Sequence, residues 1–202
     1  PDAEFLPNPV DTQLFQPLAP ARDSKSVYVC CSLTDIKGAS RILDACRRIA
    51  ATRPEIKVTV IDGGDYVDDF RALPNVRVIP HQARADLPAV IAQHGVVIGQ
   101  VLLGVVGMAE LESMACARPV VSWFTYDRAY AAPPPFVRAV DGYDIATAVI
   151  RLVDDEAERQ RLGEAGRAWV SEHHGVANGA ARVEQAALAI NARLRPLAGA
   201  SA

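Results

Sequence analysis

The chain has 202 residues, half of them hydrophobic and about a fifth charged, which is ordinary for a globular domain with one sizeable core. Its formal net charge of −3 argues against a broad basic surface for nucleic acid or for anionic membranes. No apolar run approaches the roughly 20 residues that a membrane-spanning helix needs. The first residues lack the pattern of a signal peptide and lack Met, so we expect a fragment or a processed chain.

The cysteines lie in apolar contexts that predict strands or helices. Their spacing matches no zinc-binding pattern, so we interpret them as buried small hydrophobic residues in a reducing cytoplasm. A disulfide or a metal role is the alternative interpretation. The residues concerned are Cys30, Cys31, Cys46 and Cys116.

From residue 27 onward, short apolar runs alternate with segments of helical periodicity. Runs this short and this apolar are typical of strands buried on both faces of a parallel sheet. The alternation therefore predicts an α/β fold, a doubly wound parallel sheet of the Rossmann type with helices on both faces. Residues 1–26 are rich in proline without a sustained period, which predicts a linker or extended arm, and residues 196–202 look like a loose tail. The folded domain is thus expected over residues 27–195.

In chain order, the predicted strands are 27–32, 57–64 with its turn, 75–80, 95–101 and a run after Pro119. Residues 123–140 contain three consecutive prolines, so we expect a loop with an extended piece and no helix there. Three further helices are predicted at 141–153, 155–172 and 175–194 from the spacing of their apolar residues.

The stretch 99–122, GQVLLGVVGMAELESMACARPVVS, combines a glycine-containing turn with the start of a helix. A helix N-terminus exposes unpaired N–H groups and partial positive charge, which suits a phosphate. Gly104 and Gly107 lie in the turn, and Glu110 and Glu112, whose carboxylates can accept hydrogen bonds from sugar hydroxyls, lie early in the helix. The stretch therefore predicts neighbouring sites for a phosphate and for a hydroxylated sugar.

Several polar residues follow the ends of the predicted strands, namely Lys37, Gly63, His81 and the turn of Gly104 and Gly107. Parallel sheets bind ligands outside the carboxyl ends of their strands, so these positions meet at one edge. Lys37 is interpreted as a phosphate contact or as a solvated loop lysine, and His81 as a neighbour of a nucleobase or as a solvated histidine. A dinucleotide site with Asp62 on the ribose would need G-x-G-x-x-G in the first turn, where CSLTDIKGAS has one glycine.

The segment GMAELESMACARPVV resembles the donor-site segment of retaining glycosyltransferases of family 4, which have the two-domain GT-B fold. Those enzymes carry a Glu, seven other residues, a second Glu, then Ala-Met-Ala and Pro-Val. Glu112 matches the second Glu, whereas Gly104 stands at the first, which faces the transferred sugar in the family. Glu110 is a candidate to compensate for that loss.

The resemblance extends over about residues 5–195. LPNPVDTQLFQP resembles the segment where the N-terminal domain of these enzymes passes into the C-terminal one, and Lys37-Gly38 match the family's basic turn. Ser32 stands where the family usually has an Arg that holds the donor diphosphate. The resemblance implies that the chain is the C-terminal, donor-binding half, and that the acceptor-binding domain is missing.

The implied reaction is sugar transfer from a nucleoside diphosphate sugar to an acceptor, with retention and without a metal or another cofactor. Lys37 would be the catalytic residue, supplying charge to the departing diphosphate, and Glu112 would bind ribose hydroxyls. The partners implied are the nucleotide-sugar donor and the protein's own N-terminal domain, with membrane contact only through that domain, and the isolated chain would be inactive. The expected donor-binding residues are Ser32, Lys37, Gly38, His81, Gly104, Val106, Gly107, Met108, Glu110 and Glu112.

Two other functions are compatible with the sequence. The departures at Ser32 and Gly104 favour a nucleotide-binding or interaction module that kept the fold without the chemistry. A nucleotide-sugar epimerase shares the two-domain architecture, although the linker segment and the Lys37-Gly38 turn fit transferases better.

Overall fold

A computed structural model describes residues 5–18 and 23–198, so the expectations for residues 1–4, 19–22 and 199–202 lie outside the described residues. Its strands form one six-stranded sheet, and each adjacent pair is parallel. The predicted doubly wound α/β fold is confirmed. The strands are β1 (Asp23–Val29), β2 (Lys57–Ile61), β3 (Val76–Ile79), β4 (His94–Ile98), β5 (Val120–Ser122) and β6 (Val137–Arg138).

The α-helices of the described residues connect these strands and complete the chain. Single turns of 3-10 helix lie at Asp35–Lys37, Arg84–Asp86 and Asp127–Ala129. The helices are α1 (Ala39–Thr52), α2 (Val67–Arg71), α3 (Leu87–Ala92), α4 (Met108–Ala115), α5 (Gly142–Asp154), α6 (Glu156–His174) and α7 (Val176–Ala198).

The bounds of β1 and α7 differ from the sequence-based expectation, whereas β6 agrees with it. β1 begins at Asp23, inside the predicted linker, because Asp23 pairs with His94 ahead of a register shift before Val27, and it ends at Val29, before the two cysteines. β6 is the extended piece expected in the proline-containing segment. α7 continues to Ala198 and so enters the region expected to be a loose tail.

Alternate residues of each strand supply two hydrophobic cores, one on each face of the sheet. Val27 and Val29 of β1 point toward α1 and α5, where Ile42 and Ile145 are fully buried. Tyr28 points to the opposite face, where α3, α4 and α6 cover the sheet. This alternation follows from the two-residue period of a strand, and it explains why both faces of each central strand are apolar.

The strand order β3-β2-β1-β4-β5-β6 reverses direction between β1 and β4. Chain connections leave these two central strands in opposite directions, which opens a crevice at their carboxyl ends. The loop after β1, residues 30–38, and the loop after β4, residues 99–107, therefore meet at this point.

Residues 5–18, here called the arm, pack on α6 and join the core on the face of the sheet that α3, α4 and α6 cover. Val10 and Phe15 of the arm are fully buried. The Val10 N–H donates to the His174 carbonyl (2.7 Å), and Arg167 of α6 donates to the Phe15 carbonyl (3.2 Å). Among the described residues, none of the helices combines the length and the apolar character needed to cross a bilayer.

Candidate donor-binding site

A cavity of about 420 Å³ opens at the carboxyl ends of β1 and β2, between the loop that follows β3 and the start of α4. Three of the predicted donor-site residues line it: Ser32 after β1, His81 after β3, and Glu112 on α4. The remaining lining residues are mainly those of the strand ends, Tyr28, Cys30, Cys31, Ile61, Asp62 and Gly63, and of the opposite wall, Gln82, Arg84, Leu87, Ile91, Ala109 and Ser113.

The other predicted site residues lie beside the cavity rather than in its lining. Lys37 is half-buried in the single-turn helix Asp35–Lys37, and Gly38 follows it with a φ of +81°. A Cβ at Gly38 would lie 2.6 Å from Cγ2 of Val101, so glycine permits both the left-handed backbone and the close approach. The Lys37 carbonyl accepts from the Val101 N–H (3.0 Å), which joins the Lys37 turn to the loop after β4.

The loop after β4 is built around the side chain of Gln100, which is buried. Its Oε1 accepts from the N–H groups of Leu102 (3.2 Å) and Leu103 (2.7 Å), and its Nε2 donates to the carbonyls of Val105 (2.5 Å) and Trp123 (3.2 Å). A single amide thus satisfies four backbone groups, which fixes the path of the loop before α4 begins.

Gly104 has a structural reason to be glycine at the position where the resembled family has its first Glu. Its φ is +72°, and a Cβ would lie 2.4 Å from Oγ1 of Thr125. The Thr125 N–H donates to the Gly104 carbonyl (3.0 Å), so the segment after β5 holds this residue in place. In this conformation, a Glu side chain at residue 104 would be excluded by strain and by contact with Thr125.

Glu110 does not line the cavity, contrary to the expectation that it would contact the donor. It is 2% exposed, and its Oε1 accepts from the Gln100 N–H (2.7 Å). Gly107 is the N-cap of α4, and its N–H also bonds to the Glu110 carboxylate, the reciprocal half of a capping box. Burial raises the pKa of Glu110, while these N–H groups and the Lys37 charge lower it. The carboxylate therefore braces the loop and the helix start.

Val106 and Met108 flank Gly107 and are half-buried against the core that α4 shares with α6. Gly107 itself has extended backbone angles, and no side chain of its own caps the helix. The turn at the start of α4, for which the sequence predicts a phosphate contact, is present. The N–H group of Gly107 in this turn is already bonded to the Glu110 carboxylate.

Glu112 lies two residues after Glu110 on α4. Its side chain is 8% exposed and forms part of the cavity wall. Arg84 donates a hydrogen bond from Nε to its Oε1 (3.1 Å), and Nη2 of Arg84 forms an ion pair with the same oxygen (3.0 Å). Burial raises the pKa of Glu112, and the hydrogen bond and charge of Arg84 lower it. Glu112 is thus a nearly buried carboxylate that faces the cavity and has one cationic neighbour there.

The charge of Lys37 reaches the cavity although the residue does not line it. Burial and then the Glu110 carboxylate raise the pKa of Cys31 to about 12, while Lys37 lowers it. Lys37 also acts on Glu110, as stated above. Lys37 follows the carboxyl end of β1, and Glu112 lines the cavity at the carboxyl ends of β1 and β2, so both lie at the same edge of the sheet.

All the cysteines in the described residues are free thiols. Cys46 and Cys116 are buried, as expected, but Cys30 and Cys31 are half-buried because they follow β1 and line the cavity. The expectation of burial was wrong for Cys30 and Cys31, since β1 ends at Val29, directly before them.

Arg84 is the polar residue that the sequence analysis missed. It lies three residues after His81 and begins the exposed 3-10 turn Arg84–Asp86, where nothing in the local pattern separates it from the other surface arginines. The available signal was its position after a strand end, the same signal that identified Lys37 and His81. Gln82, in the same segment, also lines the cavity and was missed for the same reason, whereas Ser113 lines it from within α4.

The arrangement combines three recognition elements at one edge of the sheet. A carboxylate in the cavity wall can accept from vicinal hydroxyls, an ammonium group lies beside the strand ends, and a helix N-terminus opens nearby. Aliphatic and thiol side chains such as Ile61 and Cys30 make part of the cavity lining apolar, as is usual in binding sites for small molecules.

The model of the family described as glycosyl transferases group 1 matches residues 10–169 of the chain. Among characterised proteins, the GDP-mannose-dependent monoacylated alpha-(1-6)-phosphatidylinositol monomannoside mannosyltransferase of Corynebacterium glutamicum is 26% identical over 197 residues. The match covers 84% of this chain and 52% of that protein, so the chain spans about half the length of this relative.

Solved structures share the fold at low sequence identity. The C-terminal domain of the group 1 glycosyl transferase LpcC from Francisella tularensis has a TM-score of 0.67 at 16% identity, covering 83% of this chain and 99% of that one. HepE from Anabaena, solved with UDP and glucose, has a TM-score of 0.73 at 15% identity, covering 90% of this chain and 55% of that one. Because the family model matches most of the sequence, the chain belongs to the glycosyl transferases group 1 family.

Proposed function

We propose that the chain is the donor-binding domain of a retaining glycosyltransferase, and that a nucleoside diphosphate sugar binds in the cavity at the carboxyl edge of the sheet. The observation that carries the proposal is the position of Glu112, buried in the cavity wall near the start of α4. A carboxylate there accepts from the ribose hydroxyls, and the diphosphate then extends toward the Lys37 turn and the loop after β4.

In the proposed reaction, the bond between the sugar's anomeric carbon and the diphosphate breaks, and the oxygen of the acceptor hydroxyl forms a bond to the same face of that carbon while its proton passes to the leaving diphosphate. The leaving diphosphate gains negative charge in this step. Lys37 stabilises that charge together with the backbone N–H groups of Val106 and Met108 at the start of α4, without a metal ion. The acceptor and its binding domain are not part of this chain, so we expect no transfer by the chain alone.

The nucleotides named for two similar proteins fit this proposal. The relative from Corynebacterium is named for GDP-mannose, and HepE was solved with UDP and glucose. The proposal therefore covers nucleoside diphosphates as a class, and the base is left to the experiment.

The test is calorimetric titration of the chain with UDP, GDP and the corresponding nucleosides. Lys37→Ala should weaken binding of the diphosphates by about 10- to 100-fold, the value of one charge-assisted hydrogen bond, and leave nucleoside binding unchanged. Lys57→Ala is the matched control, because Lys57 opens β2 at the opposite edge of the sheet and its ammonium donates to the Pro54 carbonyl. Equal losses in both variants would contradict a phosphate role for Lys37.

A nucleotide-binding or interaction module without catalysis is the second candidate function. It is favoured by Gly104, whose backbone and contact with Thr125 exclude the family's sugar-facing Glu in this conformation. If titration with UDP and GDP at millimolar concentration gives no heat of binding, the result would favour an interaction module that does not bind nucleotides. Nucleotide binding by the protein with its acceptor domain, but no product with GDP-mannose or UDP-glucose, would favour a binding module.

A further inference from the structure

Arg84 joins the loop after β3 to α4 across the mouth of the cavity. Its Nε donates a hydrogen bond to Oε1 of Glu112 (3.1 Å), and its Nη2 lies 3.0 Å from the same oxygen in an ion pair. Both contacts involve Oε1, so Oε2 of Glu112 lies outside this pair. The side chain of Arg84 is 56% exposed and that of Glu112 is 8% exposed, so the arginine covers the carboxylate from the solvent side.

Phe15 of the arm contacts the guanidinium group of Arg84. The guanidinium carbon of Arg84 lies 5.3 Å from the ring centroid of Phe15, within the range of a cation–π contact. Phe15 is fully buried, and its carbonyl accepts from Arg167 of α6. Arg84 is therefore held between a rigid aromatic ring and the carboxylate that it bonds.

A nearly buried carboxylate needs such a neighbour in order to work as a charged acceptor. Burial raises the pKa of Glu112, and Arg84 is the group that lowers it. Tyr28 and Cys116 are the other titratable groups coupled to Glu112, and their own pKa values are raised by burial. Arg84 thus places a positive charge beside the Glu112 carboxylate, and its contact with Oε1 also limits the carboxylate to one orientation.

We propose that Arg84 is a positioning residue for recognition of the donor's ribose: it fixes Oε1 of Glu112, leaves Oε2 for the ribose hydroxyls, and is itself placed by Phe15 of the arm. The inference rests on the proposed function, since it assigns the ribose to Glu112. It extends the site to a residue of the arm that does not line the cavity.

The experiment compares each nucleoside diphosphate with its 2′,3′-dideoxy counterpart, using the diphosphate that the chain binds. The ratio of the two dissociation constants reports the hydroxyl contact alone, because base and diphosphate are the same in both ligands. We expect a ratio of about 10 or more in the unaltered chain, and a ratio within about threefold of unity in Glu112→Gln.

Arg84→Met should reduce that ratio as Glu112→Gln does, because Glu112 loses its orientation. The double variant should show no further reduction, and Phe15→Leu should reduce the ratio in the same direction but less. Arg77→Met is the matched control, since Arg77 is an exposed arginine of β3 away from Glu112. Circular dichroism and the melting temperature of each variant confirm that it is folded before titration.

Three results would overturn the inference. If Arg84→Met keeps the ratio of the unaltered chain, the inference is wrong while the proposed function stands. If Arg84→Met weakens the ribose and dideoxy ligands equally, Arg84 contacts the donor itself and does not act through Glu112. If the unaltered chain binds neither UDP nor GDP, the proposed function fails and the inference fails with it.

Discussion

Two glutamates of α4 that lie two residues apart have opposite tasks because of where the helix begins. Glu110 is the third residue after the N-cap, so its side chain turns back to the Gly107 and Gln100 N–H groups. Glu112 lies beyond that turn and faces the cavity with Arg84. At the scale of single residues, a carboxylate that caps the helix and one that faces the cavity thus differ only in their position along the first turns of one helix.

Glu110→Ala should lower the free energy of unfolding by about 2–3 kcal/mol, because it leaves buried N–H groups of Gln100 and Gly107 without an acceptor. Glu112→Ala should cost less stability, since its partner Arg84 is more than half exposed and recovers hydration. Urea denaturation of both variants measures the difference. A larger loss in Glu112→Ala would contradict the bracing role of Glu110.

Gly104→Ala should destabilise the chain by about 1–3 kcal/mol, because alanine disfavours the left-handed backbone and its Cβ meets Oγ1 of Thr125. Thr125→Ala removes that oxygen, so the same substitution in a Thr125→Ala background should cost less. The comparison of the four chains by urea denaturation separates contact from backbone strain. Equal costs in the two backgrounds would show that the contact with Thr125 is unimportant.

At the scale of elements, the strand-and-helix order could be predicted from the sequence, because buried parallel strands and amphipathic helices have distinct periods. The bounds of β1 could not, since its first residues Asp23 to Ser26 are polar and their pairing with β4 depends on tertiary register. The contact residue Arg84 was equally hidden: its partner Glu112 is 28 positions away, and no local pattern reports that distance.

The junction of the arm with α6 should be sensitive to acid. His174 Nδ1 donates to the Asn8 carbonyl (2.7 Å), and burial lowers the pKa of His174 below its usual value. The unfolded histidine therefore takes up a proton as the pH falls through about 6.5, while the folded one stays neutral until a lower pH, so stability falls over that range.

Thermal melts of the chain at pH 7.5 and at pH 5.5 measure this effect. The melting temperature should fall toward pH 5.5 by more in the unaltered chain than in His174→Asn, whose amide keeps a donor without titrating. The same fall in both chains would assign the pH dependence to other groups.

At the scale of the whole molecule, the alternation of strands and helices predicted a cavity at the carboxyl ends of the strands, but it did not reveal how the arm enters the domain. A proline-rich segment without periodicity was expected to be a linker or an extended arm. Val10 and Phe15 are nevertheless fully buried, because α4 and α6 leave an apolar space that the arm fills. Such a contact has no signature in a single sequence, since it depends on helices more than 90 residues further along.

Arg167 of α6 holds three parts of the molecule together. Its Nη1 donates to the carbonyls of Phe15 in the arm and Ala115 at the end of α4, and its Nη2 donates to Thr12 (3.5 Å). Arg167→Met should therefore lower the free energy of unfolding by about 2–4 kcal/mol, because buried carbonyls lose a charged donor. Arg161→Met, on the exposed face of the same helix, should change it by less than about 0.5 kcal/mol.

Hydrogen exchange distinguishes this link from a local effect on α6. The Val10 amide, which bonds to the His174 carbonyl, should exchange faster in Arg167→Met, because the arm loses its attachment to α4 as well as to α6. Since Phe15 then also loses its fixed position under Arg84, the preference for ribose over dideoxyribose should decline in the same variant. A destabilised chain that keeps both the slow amide and the ribose preference would show that the arm and the donor site are independent.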